Sequence, residues 1–254
     1  MRTGNRGSRK AYEPFLLLIP LTINYNVKNM LDITLDLETC SLCPTAAVMS
    51  IGAVAWKRDS ETSPFFLLKD TTLHDPSFQF SCHIDLRSMF VNNFTFDGKT
   101  AEWWGAKSDE AKASLLSNDS YELPCRPIEI AVKDFFDWIA DLKKEMEEKD
   151  VCLWAQGSDF DIAILRNICY KLNILVPVHY TYFRDHRTFI YEAARLICNA
   201  RGVFYRPSEA YDLVEDYKEV EKGAEHDPVF DCKRSIYSTW QMMKKLKRLK
   251  YPNE

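Results

Sequence analysis

Glycine is scarce in this chain, at 8 of 254 residues, and no two glycines are separated by a single residue. That removes the G-x-G-x-x-G dinucleotide fingerprint, and the full G-x-x-x-x-G-K-[ST] P-loop is also absent. A Rossmann dehydrogenase or a nucleotide-driven switch is therefore not expected. The G-x-S-x-G elbow is missing as well, so a hydrolase with a serine nucleophile loses its usual mark. No apolar run is long enough to span a bilayer; the segment from Phe15 to Ile23 is short and broken by Pro20. Basic excess is lacking too: 33 Lys and Arg face 37 Asp and Glu, for a net charge of −4. Such a chain is not a general electrostatic glue for nucleic acid. Positive charge at a phosphate site must be local or come from a bound metal.

Eight cysteines are present, but they are scattered and form no compact disulfide framework. Cys40-x-x-Cys43 is a lone pair without the second pair or the histidines that a zinc site needs. Ordinary reduced thiols in a reducing, cytoplasmic compartment are expected. Hydrophobic and charged fractions of 46% and 28% are globular values, and the length suits one large α/β domain or two small ones.

Residues 1–29 differ from the rest. Arg2, Arg6, Arg9 and Lys10 precede the short apolar run, without a small-residue cleavage site. They read as an extension outside the fold, which leaves residues 30–250 as a single domain. From Met30 onward the pattern is coherent. Strands are predicted at Leu31–Leu37, Ala47–Trp56, Phe78–Leu86 and Val151–Ala155, with a weak fifth near His179–Phe183. Helices are predicted over about 100–117, after Pro127, from Ile162 to Leu172, over 189–200 and over 228–249. Residues 58–76 form a long excursion between two strands, and 202–222 are irregular. Three early strands can pair antiparallel, whereas the later ones need helical crossovers and are parallel. The expected fold is α/β: a mixed five-stranded sheet flanked by helices.

The candidate chemistry lies in three places. Asp36 and Glu38 sit two apart near the end of the first strand, so they share one face. Two neighbouring carboxylates are costly to bury, and a divalent cation or simple solvation would relieve them. Asp161 follows the fourth strand in Gly157-Ser158-Asp159-Phe160-Asp161; a capping box between Ser158 and Asp161 is the structural alternative, and Asp159 is a nearby competitor. His226 and Asp231 flank Asp227-Pro228, which reads as N-cap and first helical residue. Asp231 is then fixed in the first turn of the last helix, and His226 is left on a loop. Of the five histidines, His226 is the one with an Asp five residues later.

In order, these residues resemble the DEDDh 3′→5′ exonucleases of the ribonuclease H-like superfamily. Ser50-Ile51-Gly52-Ala53-Val54, Thr100-Ala101-Glu102-Trp103-Trp104 and Arg184-Asp185-His186-Arg187-Thr188 resemble the branch of exodeoxyribonuclease VIII-like and bacterial 3′→5′ exoribonuclease-like proteins. The resemblance spans about residues 30–245. It implies that Asp36, Glu38, Asp161 and Asp231 hold two divalent cations, Mg²⁺ or Mn²⁺, with His226 as general base. Asp161 is preferred over Asp159 because it completes a Phe-Asp pair. It implies hydrolysis of RNA or DNA from a 3′ end to 5′-mononucleotides. A group that titrates near neutrality suits the base.

Trp103 and Trp104 are candidate base-stacking residues, although neighbours on a helix diverge by about 100° and one of them suits the core. Arg184 and Arg187 suit phosphate or ordinary ion pairs equally. Lys244, Lys245, Lys247, Arg248 and Lys250 suit a solvated helix end. An endonuclease on the same fold, a silent nucleic-acid-binding module and a redox protein using Cys40 and Cys43 are the rival readings. Nucleic acid is the expected partner and a membrane is not. No feature fixes RNA against DNA or the oligomeric state, with which a homodimer is compatible.

Overall fold

The computed structural model describes residues 30–116 and 125–250. The expectation for residues 1–29 lies outside these. The sheet has five strands: β1 (Met30–Thr39), β2 (Val48–Trp56), β3 (Gln79–His83), β4 (Asp150–Ala155) and β5 (Phe183–Asp185). Their spatial order is β3-β2-β1-β4-β5. β1 pairs antiparallel with β2, and β2 with β3; β4 and β5 join in parallel. The fold class expected from the sequence is the one observed.

Seven α-helices are seen among the described residues: α1 (Leu86–Val91), α2 (Gly98–Gly105), α3 (Asp109–Leu116), α4 (Ile128–Glu145), α5 (Asp161–Lys171), α6 (His186–Ala200) and α7 (Pro228–Lys250). Several boundaries correct the sequence reading. The third strand ends at His83 because Asp85 caps α1, accepting from Arg87 N at 3.0 Å. The helical stretch near 100–117 is two helices, the first capped by Asp97, which accepts from Thr100 N at 2.9 Å. The fifth strand lies later than expected. His179 caps a 3-10 turn at Tyr180–Tyr182, which leaves three residues to pair with β4. α6 also starts earlier, because Asp185 accepts from Thr188 N at 2.7 Å. The 58–76 excursion is held by antiparallel bridges, Trp56 with Phe65 and Leu67 with His74. The irregular 202–222 stretch contains three 3-10 turns.

The two faces of β1 explain the placement of the site. Leu31, Ile33, Leu35 and Leu37 are buried in the core that includes α4 and α5 residues. Asp32, Thr34, Asp36 and Glu38 alternate with them and face the opposite side. On that side the polar groups are matched first. Asp32 is gripped by Arg58 and accepts from Trp154 Nε1 at 2.8 Å. Thr34 bonds the buried His186 at 2.9 Å. Further along, Asp36 and Glu38 meet the start of α7. The close approach has a sequence cause: Gly52 is the β2 partner of Asp36, and a Cβ there would lie 2.6 Å from Pro228.

A candidate active site at the end of β1

Three elements bring the predicted acids together. β1 carries Asp36 and Glu38; Glu38 is only 7% exposed and precedes a register shift before the last β1–β2 pair, Thr39 with Val48. α5 carries Asp161 as its first residue, buried at 3% exposure. α7 carries Asp231 in its first turn.

Local bonds orient each group. Asp161 Oδ1 accepts from Leu37 N at 3.2 Å, which ties the helix start to β1. The Ser158–Asp161 capping box expected as an alternative is not formed. Ser158 N donates instead to Asp185 Oδ2 at 2.7 Å. Asp227 accepts from Val229 N and Phe230 N at 2.9 and 3.0 Å, the cap expected before Pro228. Asp231 Oδ2 accepts from His226 N at 3.2 Å. His226 has φ +65°, a left-handed conformation that a side chain other than glycine's adopts at a cost. Its Nδ1 lies 3.8 Å from Glu38 Oε1.

The charge balance is the informative part. Burial, followed by the fields of Asp161, Glu38, Asp231 and Asp227, raises the Asp36 carboxyl well above the usual range. Burial and then Asp231 and Asp161 push Glu38 up to about 8. Burial takes Asp161 to about 7 against three backbone N–H groups that favour its anion. Burial raises Asp231 too, partly opposed by Arg234. Asp32, on the same strand, shows how this fold settles a buried acid, by pairing it with Arg58. Among the described residues, neither Asp36 nor Asp161 forms an ion pair with a lysine or arginine. A buried carboxylate cluster with one arginine, Arg234, at its edge carries more negative charge than its ion pairs offset, which suits divalent metal. Ligand atoms of Glu38, His226 and Asp231 already lie within 4.8 Å of one another. The four carboxylates are hard oxygen donors, which fit Mg²⁺ or Mn²⁺.

Two cavities flank the carboxylates. One, of about 520 Å³, is walled by Asp36, Asp231, Arg234, Gln156 and Tyr211. The other, of about 530 Å³, is walled by Leu37, Glu38, Phe160, Trp103 and Trp104. Trp103 is 46% exposed, while Trp104 is half-buried and donates Nε1–H to Thr39 O at 2.9 Å. Arg187 is exposed beside Gly157, and its charge acts on Asp161. Arg184 is placed differently, with Nη1 donating to the carbonyls of Thr181 and Phe183 at 2.7 and 2.9 Å.

Some site residues gave no sequence signal. Gln156 links Tyr211 Oη at 2.8 Å to Ser235 Oγ at 2.9 Å, across separations of 55 and 79 residues. Arg234 pairs with Asp216 and reaches Asp231 at 3.5 Å. Only folding places these groups together. At the cysteines, all eight of which are free thiols, no metal-ligand cluster forms among the described residues.

The mixed sheet thus carries buried acids at the end of its central strand, completed from two helix starts and a loop histidine. The model of the Rv2179c-like 3′-5′ exoribonuclease domain matches residues 31–231, so the chain belongs to that family. No curated protein matches it. Among solved structures, cell-death related nuclease 4 is 14% identical, with a TM-score of 0.47 over 84% of this chain and 64% of that one. The present chain thus spans less than two thirds of that neighbour. The nuclease domain of 3′hExo, a DEDDh family member bound to rAMP, is 14% identical, with a TM-score of 0.49 over 86% and 94%. E. coli ExoI in a zinc-bound complex with single-stranded DNA is 16% identical, with a TM-score of 0.40 over 89% and 42%. Among the described residues no helix is long and apolar enough to cross a membrane.

Proposed function

We propose that this protein removes 5′-mononucleotides from the 3′ end of RNA, with Asp36, Glu38, Asp161 and Asp231 holding two Mg²⁺ or Mn²⁺ ions and His226 as general base. The observation that carries the reading is the convergence of four carboxylates on one end of β1, with Arg234 at Asp231 as the one lysine or arginine ion pair to them among the described residues. The family description supports RNA as substrate.

When bound, the dications stabilise both the attacking and the leaving oxygens of an in-line displacement. The chain's own groups do the rest. Asp161, held by Leu37 N, and Asp231, held by His226 N, fix the acids against their mutual repulsion. His226 Nδ1, near Glu38, is placed to take the proton of the attacking water. Burial holds this imidazole below its ordinary pKa, with Lys107 acting in the same direction and Asp231 and Glu225 opposing. Leu37, Phe160 and the open face of Trp103 offer apolar walls to the terminal nucleotide. Arg187 is the arginine placed to meet phosphate, since the Arg184 guanidinium is bonded to backbone.

The test uses labelled RNA and DNA with free or blocked 3′ ends, in Mg²⁺ or Mn²⁺. Stepwise shortening of free RNA ends with mononucleotide release is expected, and Asp36→Ala should end it without unfolding the protein. Equal cleavage of blocked and free ends would refute the proposal. DNA shortened faster than RNA would refute the substrate.

A further inference from the structure

We infer that Trp104 is a positioning residue that sets the pose of the His226 imidazole; this rests on the reading of His226 as general base. His226 sits on a loop, and its backbone N–H is fixed to Asp231 Oδ2 at 3.2 Å. That bond places the main chain but does not by itself set the ring's side-chain torsions. Two indoles bound the ring. Trp104 meets it edge-to-face at 5.1 Å and 76°, and Trp103 at 5.1 Å and 74°. The indoles are themselves nearly perpendicular, 4.9 Å apart at 80°. The three rings close a mutually edge-to-face trio, the arrangement that aromatic quadrupoles prefer.

The two tryptophans are not equivalent. Trp103 is half open to solvent, with Lys107 Nζ 3.7 Å from its ring centre. Trp104 is anchored, because its Nε1–H donates to the carbonyl of Thr39, the residue after Glu38. One strand end therefore carries both the Glu38 carboxylate and, through a single hydrogen bond, the wall against which the imidazole rests. This couples the 3.8 Å spacing of Glu38 and His226 to the position of α2. Trp103 keeps an open face for the nucleotide, while Trp104 acts through His226.

Kinetics and spectroscopy on the full chain separate this role from nucleotide stacking. Trp104→Leu should lower kcat at least about tenfold with KM within about twofold, the pattern of a lost transition-state interaction. Trp104→Phe keeps a ring but loses the anchor and should fall between. In a His226→Ala background Trp104→Leu should have no further effect on single-turnover rate, since the two residues act as one unit. In NMR spectra the His226 imidazole resonances should move on Trp104→Leu, while those of the buried His186 stay in place. A raised KM with unchanged kcat would overturn the inference, as would an equal loss in the His226→Ala background or unmoved His226 resonances. A wild-type protein that releases no nucleotide would refute the proposed function, and the NMR comparison would still decide whether Trp104 holds the ring.

Discussion

Mild acid should remove stability from this fold through His186, a residue outside the carboxylate site. It is the first residue of α6 and is fully buried. Its Nε2 lies 2.9 Å from Thr34 Oγ1 and its Nδ1 2.7 Å from Thr239 Oγ1. The ring stacks on Trp154 at 4.9 Å. Two hydroxyls satisfy a neutral imidazole but supply no counter-charge, and burial pushes its pKa down to about 3. The unfolded chain protonates near 6.5. Between these values the unfolded state binds the extra proton, so this contribution to stability is full above pH 6.5 and is lost as pH falls towards 3. The loss is about 2 kcal/mol at pH 5 and about 4 kcal/mol at pH 3, at about 1.4 kcal/mol per unit.

The assay compares wild type with His186→Gln in urea, in chelator, at pH 7.5 and pH 5. Loss of the stacked ring and of one Thr contact should cost the variant about 2–4 kcal/mol at pH 7.5. That penalty should shrink by about 2 kcal/mol at pH 5, because the variant has no imidazole to protonate on unfolding. The carboxylate cluster titrates in both proteins and cancels in the difference. A penalty that stays constant to within about 0.5 kcal/mol between the two pH values would refute the reasoning.

Other expectations follow from the same geometry. Gly52→Ala should destabilise the protein by about 1–3 kcal/mol and reduce turnover more than stability alone explains; a Cβ at residue 52 displaces Pro228 and with it Asp231, so melting and kinetics together check it. Asp161→Asn should raise the melting temperature in chelator at pH 8, because the wild-type carboxyl, raised to about 7, loses stability as pH rises through that value. Adding Mn²⁺ should reverse the order by stabilising wild type, and calorimetry with and without metal reads both effects. Arg187→Ala should raise KM severalfold with kcat nearly unchanged and no loss of stability, as measured on a labelled oligonucleotide.

Sequence periodicity was enough to reveal β1 and the long amphipathic helices, because alternation and 3.6-residue spacing are local signals. It was not enough for β5. That strand is three residues long, and its position follows from the His179 and Asp185 caps on either side. Asp227-Pro228 was legible as a helix start for the same local reason. Asp161 read equally well as a cap for its own helix, and only the bond from Leu37, 124 residues away, decides otherwise.

The order Asp-x-Glu, Asp, His-x4-Asp is written in the chain, and it carries the family resemblance and the set of residues proposed to hold metal. Which charges lack partners is not written there. Asp32 and Asp36 lie on the same strand face, yet folding brings Arg58 to one and three further carboxylates to the other. The contact of His226 with Trp104 and the bond from Gln156 to Tyr211 join residues far apart in the chain. Periodicity and spacing act over a few residues, whereas burial, charge pairing and ring contacts are fixed only when the sheet and α7 close on each other.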